Sequence, residues 1–186
     1  VVKNVVPQIS NSWSPNGQWA PEHLTDGDLG TVTDYGYTSE VLGRDNKTSC
    51  QITNPISITF ALDQAVSFET LKLYPRTAVR SASGNECANY PKKFTLEVSQ
   101  DGSTWTPVDL NGTEEGNGYT VESLRNTELF PEVEAEHIDT DFGGNVKAKK
   151  VKISVSQVGP AVVEDGENRL QIMELELWNG VENVAK

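Results

Sequence analysis

The chain has 186 residues, 36% of them hydrophobic, and a formal net charge of -12 at pH 7. This length suits one hydrophobic core, so we expect a single module over residues 1–186 with its core from about residue 4 to 180. An excess of acidic residues argues against binding to nucleic acid or to anionic membranes, which both select clustered Lys and Arg. The apolar stretches are also shorter than the roughly 20 residues that a membrane-spanning helix requires.

Short runs that alternate between hydrophobic and polar residues recur along the chain, and a period of two is typical of a strand with one buried face. In chain order these runs cover residues 56–60, 70–74, 94–98, 151–155 and 172–178. Phe94, Leu96 and Val98 share one face, and Asp101-Gly102 follows as a turn, because these two residues tolerate the positive φ that a tight hairpin needs. The pattern predicts an all-β fold with antiparallel pairing.

Five longer segments between the predicted strands are rich in Gly, Asn, Ser and Thr, namely residues 10–23, 38–49, 76–90, 111–118 and 157–170. Long loops on a rigid sandwich commonly carry the function. We predict a turn at residues 62–64, which would reverse the chain and bring the second and third of these loops to one end. The Asp101-Gly102 turn would then lie at the opposite end. A binding site is therefore expected at the end with the long loops.

The chain contains two cysteines, Cys50 and Cys87. They permit either one disulfide in an oxidising compartment or two buried thiols in a reducing one. The predicted strand directions bring both to the same end, where a disulfide would brace two loops. A zinc site is not indicated, because neither His23 nor His137 stands at ligand spacing.

The segment at residues 25–31, Thr-Asp-Gly-Asp-Leu-Gly-Thr, combines carboxylates two residues apart with hydroxyls and with glycines that let the backbone curl. Calcium binds about six to eight oxygen atoms and suits such a segment. The alternative is an Asx turn in a surface loop. Near the C-terminus, Glu174 and Glu176 alternate with the core-facing Leu175 and Leu177, which by itself indicates two solvated carboxylates.

Motifs from the first loop to the last strand follow the order of one known domain family. They are Leu-Thr-Asp-Gly-Asp at 24–28, Gly-Tyr-Thr-Ser at 36–39, Leu-Tyr-Pro-Arg at 73–76, Tyr-Pro-Lys-Lys-Phe at 90–94, Val-Ser-Gln-Asp-Gly-Ser-Thr-Trp at 98–105 and Glu-Leu-Glu-Leu-Trp-Asn-Gly at 174–180. The chain thereby resembles the discoidin domain, also known as the coagulation factor V/VIII C-type domain, whose bacterial branch is the family 32 carbohydrate-binding modules. The resemblance implies a jelly-roll-like β-sandwich of two antiparallel sheets, with a structural calcium and a ligand site in the loops at one end.

The resemblance also implies which residues hold the calcium. It places the ion against the Asp26 carboxylate, Asp28, a carboxylate oxygen of Glu174, the hydroxyl and carbonyl of Thr31, and the carbonyls of His23 and Met173. Residues 26 and 174 lie at opposite ends of the chain, so one ion would join the first loop to the last strand and oppose fraying there.

For the ligand site, the resemblance implies an Arg just after the strand that ends at residue 74, an Asn in the following loop and an aromatic ring beneath a sugar. Arg76 matches the Arg, and either Asn85 or Asn89 matches the Asn. Thr38 stands where galactose binders often have His, which departs from a simple galactose pattern. Further polar contacts would come from Glu40, Arg44, Arg80 and Glu86.

The aromatic ring is expected from the loops, because Tyr37, Trp105 and Trp178 are expected in the core. Trp19 and Tyr90 are the two candidates, and the alternative is that each ring is buried and anchors its loop. A sugar hydroxyl donates and accepts at once, so Arg, Asn and Glu side chains suit it, while an aromatic face packs against the CH side of the sugar ring.

Motifs for catalysis, such as a nucleophile elbow, a phosphate-binding glycine loop or a His pair at metal spacing, do not occur in the sequence. We expect a non-catalytic module that targets an extracellular bacterial glycoside hydrolase or adhesin to terminal galactose, N-acetylgalactosamine or N-acetylglucosamine of host mucin or milk glycans. It would be secreted or attached to the cell wall, as a monomeric unit of a larger multimodular chain or after removal of a leader. The alternative is a protein- or phospholipid-binding adhesion domain of the discoidin type.

Overall fold

A computed structural model of the chain describes residues 5–29, 35–77, 79, 81–84, 86–110, 118–121 and 138–185, with the backbone alone for 138–145. Two short 3-10 helices, Pro15–Gly17 and Pro21–Leu24, lie in the first loop. No helix in this described part is long and apolar enough to cross a membrane. The strands of the described chain are β1 (Gln8–Ile9), β2 (Tyr37–Thr38), β3 (Gly43–Arg44), β4 (Cys50–Tyr74), β5 (Pro91–Ser99), β6 (Thr106–Val108), β7 (Gly118–Thr120), β8 (Ile138–Val158), β9 (Glu167–Asn168), β10 (Gln171–Ile172) and β11 (Glu174–Trp178).

Two long strands, β4 and β8, form the frame of the fold. They pair antiparallel from Cys50 opposite Val158 to the far end of β4, and their pairing lapses between Ala61 and Val66. The turn predicted at residues 62–64 is therefore wrong, because the chain continues through this segment within β4. The polar residues there resemble a turn signal, but β8 offers a pairing partner on both sides of the lapse. The two strands consequently bend together as one ribbon.

The bent ribbon produces the two layers of a sandwich. In one layer, the first half of β4 pairs with β1 and β8, and the sheet continues from β8 to β5, which also pairs with β6 and β7. In the other layer, the second half of β4 pairs with β11 and with the first half of β8. All of these pairs are antiparallel. The predicted all-β, jelly-roll-like sandwich with antiparallel sheets is confirmed.

One hydrophobic core fills the sandwich, and burial of each large apolar side chain stabilises the fold by about 1.5–3 kcal/mol relative to exposure. The alternating positions of the predicted strands supply a large part of it, including Ile56, Ile58, Phe60, Leu71, Leu73, Phe94, Leu96, Val151, Ile153, Leu175 and Leu177. Glu174 and Glu176 do not face solvent, contrary to what alternation indicates, since they are only 0% and 6% exposed. Both faces of β11 are covered, and a two-residue period cannot reveal a strand of that kind.

The predicted hairpin joins β5 and β6, which pair antiparallel. Its connection is longer than a two-residue turn, and Gly102 has the expected positive φ of 85°. The Asp101 carboxylate accepts the backbone N–H groups of Ser103 and Thr104 at 2.8 and 2.7 Å, which closes the connection. Of the predicted loop at 111–118, all but the last residue lies outside the described residues.

Four of the predicted loops meet at the other end of the sandwich. Thr38 in β2 is paired with Gln171 in β10. The Asn89 N–H donates to the Pro160 carbonyl at 2.9 Å, and the Trp13 N–H donates to the Thr38 carbonyl at 3.0 Å. The loops on either side of β4 thus reach the same end, as predicted, although a bent ribbon and not a turn brings them there.

Of the three aromatic residues expected in the core, Tyr37 is fully buried. Trp105 and Trp178 are only half-buried, so their placement in the core is wrong. The ammonium group of Lys152 lies 4.5 Å from the ring centre of Trp105, and that of Lys72 lies 4.9 Å from the ring centre of Trp178. These lysines cover the outer side of rings that lie on the surface of the sandwich.

Cys50 and Cys87 are both buried, and neither forms a disulfide in the structure. Of the two alternatives that the sequence leaves open, the structure has the buried thiols and lacks the disulfide. The Cys50 sulfur packs so closely on Gly43 that a Cβ there would lie 2.7 Å from it, and it contacts the Gln51 carbonyl at 3.5 Å. Burial also raises the pKa of the Cys50 thiol, which disfavours the reactive thiolate.

Candidate ligand-binding site

Arg76 stands at the centre of the loop end, two residues after β4. Its guanidinium carbon lies 4.6 Å from the ring centre of Trp19, a cation–π distance. Its Nη1 donates to the Gln171 side-chain oxygen at 3.3 Å. Gln171 is the only hydrogen-bond acceptor for this guanidinium among the described residues. Arginine carries five N–H donors, and the described residues accept from only one of its nitrogens.

The charge of Arg76 is partly withdrawn from water. Burial lowers the pKa of Arg76, and the nearby carboxylates of Asp165 and Glu164 raise it in part. Both carboxylates belong to exposed residues in the loop before β9. A half-buried guanidinium therefore lies close to exposed acceptors, so this surface offers hydrogen-bond donors and acceptors side by side.

Trp19 is held on the other side of Arg76 by its own loop. It adopts a φ of 58°, which is uncommon for any residue other than glycine. Its carbonyl accepts the Thr38 N–H at 3.3 Å, and its ring meets that of Tyr35 edge to face at 5.5 Å. The half-exposed ring is thus placed between Arg76 and Tyr35, and its role beneath a ligand stays a prediction.

Tyr90, the other predicted platform, does not face the site. It is fully buried, and its ring packs on Gly159, where a Cβ would lie 2.4 Å from a ring carbon. Its hydroxyl donates to a Glu86 carboxylate oxygen at 3.3 Å. Tyr90 as a sugar platform is therefore wrong, because the ring anchors its loop, and Glu86 supports that anchor.

Asn89 lies beneath the site, with no exposed surface and a φ of 59°. Its side-chain N–H₂ donates to the Glu167 carbonyl and to the Gln171 side-chain oxygen, both at 3.3 Å. Its side-chain oxygen accepts the Arg169 backbone N–H at 3.1 Å. Direct contact of Asn89 with a ligand is thus contradicted by its burial. Asn89 instead positions Gln171, which in turn holds Arg76.

Thr38 is also buried, with 1% of its surface exposed. Its hydroxyl oxygen has no hydrogen-bond partner among the described residues. Because Thr38 and Gln171 are directly opposite in an antiparallel pair, their side chains share one face. Thr38 therefore lies below the surface beside Gln171, and the predicted direct contact between its side chain and a ligand is contradicted by burial.

Arg169 is a member of the site that the sequence interpretation missed. Its guanidinium carbon lies 4.6 Å from the ring centre of Trp13. Its Nε and Nη2 donate to one Glu167 carboxylate oxygen at 3.1 and 2.6 Å, and its Nη1 donates to the Ser39 carbonyl at 2.9 Å. The two-residue spacing of Glu167 and Arg169 places both on one face of an extended segment, and this was the available signal.

Glu167 is shared between two arginines. Its other carboxylate oxygen lies 2.8 Å from Arg44 Nη2. The hydrogen bond from Arg169 lowers the pKa of Glu167, and the Arg44 charge adds to this against the cost of burial. Arg44 is thus engaged with Glu167 at the rim of the site, where it is largely exposed.

The remaining predicted polar residues are distributed as follows. Glu40 is exposed at the rim, and its N–H donates to the Asn11 side-chain oxygen at 2.8 Å. Arg80 and Asn85 lie outside the described residues. Of the polar candidates in the described part of the chain, Arg76 contacts the aromatic candidate Trp19, and Glu40 is exposed.

The first loop and the last strand, which carry the predicted calcium residues, contact each other at Gly27 and Glu174. Glu174 is fully buried, and its two carboxylate oxygens accept the Gly27 N–H at 3.2 and 3.1 Å. The Asp26 carboxylate accepts the Asp28 N–H at 2.9 Å, which is the geometry of an Asx turn, and it contacts His23 Nδ1 at 2.9 Å. Both the Asx turn and the contact between loop and strand are therefore present.

The chemistry of this donor set fits calcium, since the carboxylates and the carbonyls that the resemblance implies supply only hard oxygen atoms. Among the described residues, no three His, Cys, Asp or Glu side chains gather closely enough to hold a metal by themselves. Backbone carbonyls such as those of His23 and Met173 would have to complete the set, together with Thr31, which lies outside the described residues. Calcium at this position remains a prediction.

The fold defines a class of protein, a β-sandwich whose longer loops meet at one end. The sequence model of the F5/8 type C domain matches residues 8–174. The chain therefore belongs to the F5/8 type C domain family, also known as discoidin domains.

Solved structures place the same fold in carbohydrate-binding modules. A Bacteroides thetaiotaomicron protein assigned as an alpha-L-fucosidase covers 95% of this chain at 14% identity and a TM-score of 0.55, and this chain spans 28% of its length. The module CBM32-3 of a family 31 glycoside hydrolase from Clostridium perfringens covers 95% of this chain, and 91% of the module is covered, at 17% identity and a TM-score of 0.54.

A third relative is the Clostridium perfringens module CBM32-5 in complex with GalNAc-beta-1,3-galactose, which covers 94% of this chain, with 95% of the module covered, at 16% identity and a TM-score of 0.50. At these identities the similarity establishes the fold. None of the curated proteins matches the chain.

Proposed function

We propose that this chain is a non-catalytic carbohydrate-binding module that binds a terminal sugar at Arg76 and Trp19. One observation carries the proposal: the guanidinium of Arg76 stacks on the half-exposed Trp19 ring while Gln171 is its only acceptor in the described part of the chain. A sugar needs this combination, because its hydroxyls take donors and acceptors and its CH face takes an aromatic ring. The exposed carboxylates of Glu164 and Asp165 near Arg76 supply hydrogen-bond acceptors for the sugar hydroxyls.

For the sugar, we propose terminal galactose, N-acetylgalactosamine or N-acetylglucosamine of host mucin or milk glycans. The relative crystallised with GalNAc-beta-1,3-galactose supports this class. The acidic charge of the chain, -12, disfavours anionic lipids and nucleic acids as ligands.

We further propose that the module is a monomeric part of a larger secreted or cell-wall-attached bacterial protein, such as a glycoside hydrolase or an adhesin. The support is that two of the relatives belong to proteins named as glycosidases or glycoside hydrolases. The affinity of a single shallow site is expected to be weak, and repeated modules would raise it through effective concentration.

The test of the sugar site is Arg76→Ala, measured by glycan array and by calorimetry with the best sugar. Hydrogen bonds to a charged group contribute about 1.5–3 kcal/mol, so the affinity should fall roughly tenfold to a hundredfold. Stability should change little, because the lost stack on Trp19 is worth only about 0.5–1 kcal/mol at a partly exposed site.

A matched control is Lys152→Ala, which removes another cation–π stack, the one on Trp105, far from this site. It should leave sugar affinity intact. Unchanged affinity in the Arg76 variant would move the site elsewhere, and binding to phosphatidylserine vesicles in place of sugars would favour the adhesion-domain alternative.

We also propose that the first loop and Glu174 hold a structural calcium. Calcium at a hundredfold excess over its dissociation constant would stabilise the fold by about 2.7 kcal/mol. A chelator should therefore lower the melting temperature, and Asp26→Asn should remove this dependence, since the amide keeps an oxygen for the Asp28 N–H but loses the charge. A melting temperature that does not respond to calcium or to chelator would refute the metal site and leave the sugar site untouched.

A further inference from the structure

We propose that the site has two adjacent subsites and takes at least a disaccharide, with one sugar unit on Trp19 and the next on Trp13. This inference rests on the proposed sugar-binding function and extends it to the length of the ligand. It also assigns a role to Trp13, which is 38% exposed although it is a large aromatic residue.

Two matching pairs of side chains carry the proposal. Arg76 stacks on Trp19 and Arg169 stacks on Trp13, and in both pairs the guanidinium carbon lies 4.6 Å from the ring centre. Both tryptophans come from the first loop. Arg169 lies two residues before β10, and Arg76 donates to the side-chain oxygen of Gln171 in β10. An isolated exposed tryptophan needs no explanation, but two rings held in the same way at one end of a sandwich form a built surface.

The two pairs are neighbours, because the backbone of Thr38 is hydrogen-bonded to the backbones of both tryptophans. The Trp13 N–H donates to the Thr38 carbonyl at 3.0 Å, and the Thr38 N–H donates to the Trp19 carbonyl at 3.3 Å. On the arginine side, the buried Asn89 side chain links the two, since it bonds to the Arg169 backbone and to the side-chain oxygen of Gln171 that also holds Arg76.

The two subsites differ in chemistry. The guanidinium of Arg76 has one protein acceptor among the described residues, so it can select a sugar by its hydroxyl pattern. Every nitrogen of the Arg169 guanidinium is bonded, to Glu167 or to the Ser39 carbonyl. The subsite at Trp13 therefore offers ring stacking with little hydroxyl selection, and the terminal unit belongs on Trp19.

The experiment titrates matched sugars into the wild-type chain and into Trp13→Ala by calorimetry. The pairs are N-acetylgalactosamine with GalNAc-beta-1,3-galactose, and N-acetylglucosamine with its trimer. In a series that binds, the longer sugar should bind wild type roughly threefold to tenfold more tightly than the monosaccharide, the gain typical of one aromatic contact. Trp13→Ala should abolish this gain and leave monosaccharide affinity unchanged.

Two further variants control for folding. Trp13→Phe keeps an aromatic ring and should keep most of the gain in affinity for the longer sugar. Trp105→Ala removes a half-buried tryptophan at the hairpin end and should change the affinity for neither the monosaccharide nor the longer sugar. The backbone bond from residue 13 to Thr38 survives these substitutions. Equal affinity of short and long sugars, or an equal loss of both in Trp13→Ala, would overturn the two-subsite proposal alone. A wild-type chain that binds no sugar would overturn the proposed function, and this inference with it.

Discussion

Glu167 offers an internal comparison of a nearly buried and an exposed ion pair, because one carboxylate serves both. Its pair with Arg169 has side chains 13% and 17% exposed, whereas the side chain of Arg44 is 62% exposed. We predict that Arg169→Met destabilises the fold by about 2–4 kcal/mol, because it removes several charge-assisted hydrogen bonds and leaves a nearly buried carboxylate with one partner. Arg44→Ala should cost only about 0–1 kcal/mol, the range of surface pairs.

The assay is thermal unfolding of both variants beside wild type. At this chain length each kcal/mol shifts the melting temperature by about 2–4 °C, so Arg169→Met should melt roughly 5–15 °C lower and Arg44→Ala less than about 4 °C lower. Methionine keeps an unbranched apolar stem against Trp13, so the comparison isolates the charged group.

The pH dependence gives a second signature of the same pair. Arg169 lowers the pKa of Glu167 in the folded state, so the stabilisation is complete above the unfolded pKa near about 4.3 and is lost as the pH falls through the folded value. The difference in stability between wild type and Arg169→Met should therefore narrow below about pH 4. Equal destabilisation by both variants, or a difference that persists undiminished in acid, would refute this reasoning.

Two further predictions concern the scaffold. Gly159→Ala should destabilise by about 1–3 kcal/mol, because the new Cβ would lie 2.4 Å from a Tyr90 ring carbon, and a stability equal to wild type by denaturant unfolding would show that the ring has room to move. Asp101→Ala should destabilise the hairpin at neutral pH. Hydrogen bonds from Thr104 and Ser103 lower the pKa of Asp101, so its contribution is present above about pH 4 and lost as the carboxylate protonates. A gap in melting temperature between this variant and wild type that is unchanged at the lowest accessible pH would contradict this account.

The strands were predictable where one face is buried and the other is exposed to solvent. Phe94 and Leu96 alternate with polar residues, and the structure buries both in β5. The continuity of β4 was not predictable, because the polar residues near Asp63 look like a turn until β8 is known to run beside them. A strand partner far along the chain gives no signal in the local sequence. For the same reason, a two-residue period could not predict that Glu174 is buried.

In the candidate site, Arg76 and Trp19 were expected from resemblance, and the structure brings them into contact. Tyr90 and Asn89 stand in the same loop as Arg76 and carry equally suitable groups, but they are buried. Their burial depends on the packing of the segment that contains Gly159, which sequence position alone does not reveal. Arg169 was missed because its partners, Trp13 and the Ser39 carbonyl, come from other loops.

The sequence by itself determined the all-β class, the hairpin at Asp101-Gly102 and the family, because alternation, turn chemistry and ordered motifs are local properties of the chain. The tertiary structure alone decided which loop residues are exposed at the end where the loops meet. Exposure, stacking and the sharing of hydrogen bonds are properties of groups that meet only after β4 and β8 bend together, which brings Trp13, Trp19, Arg76 and Arg169 to one surface and turns Tyr90 inward.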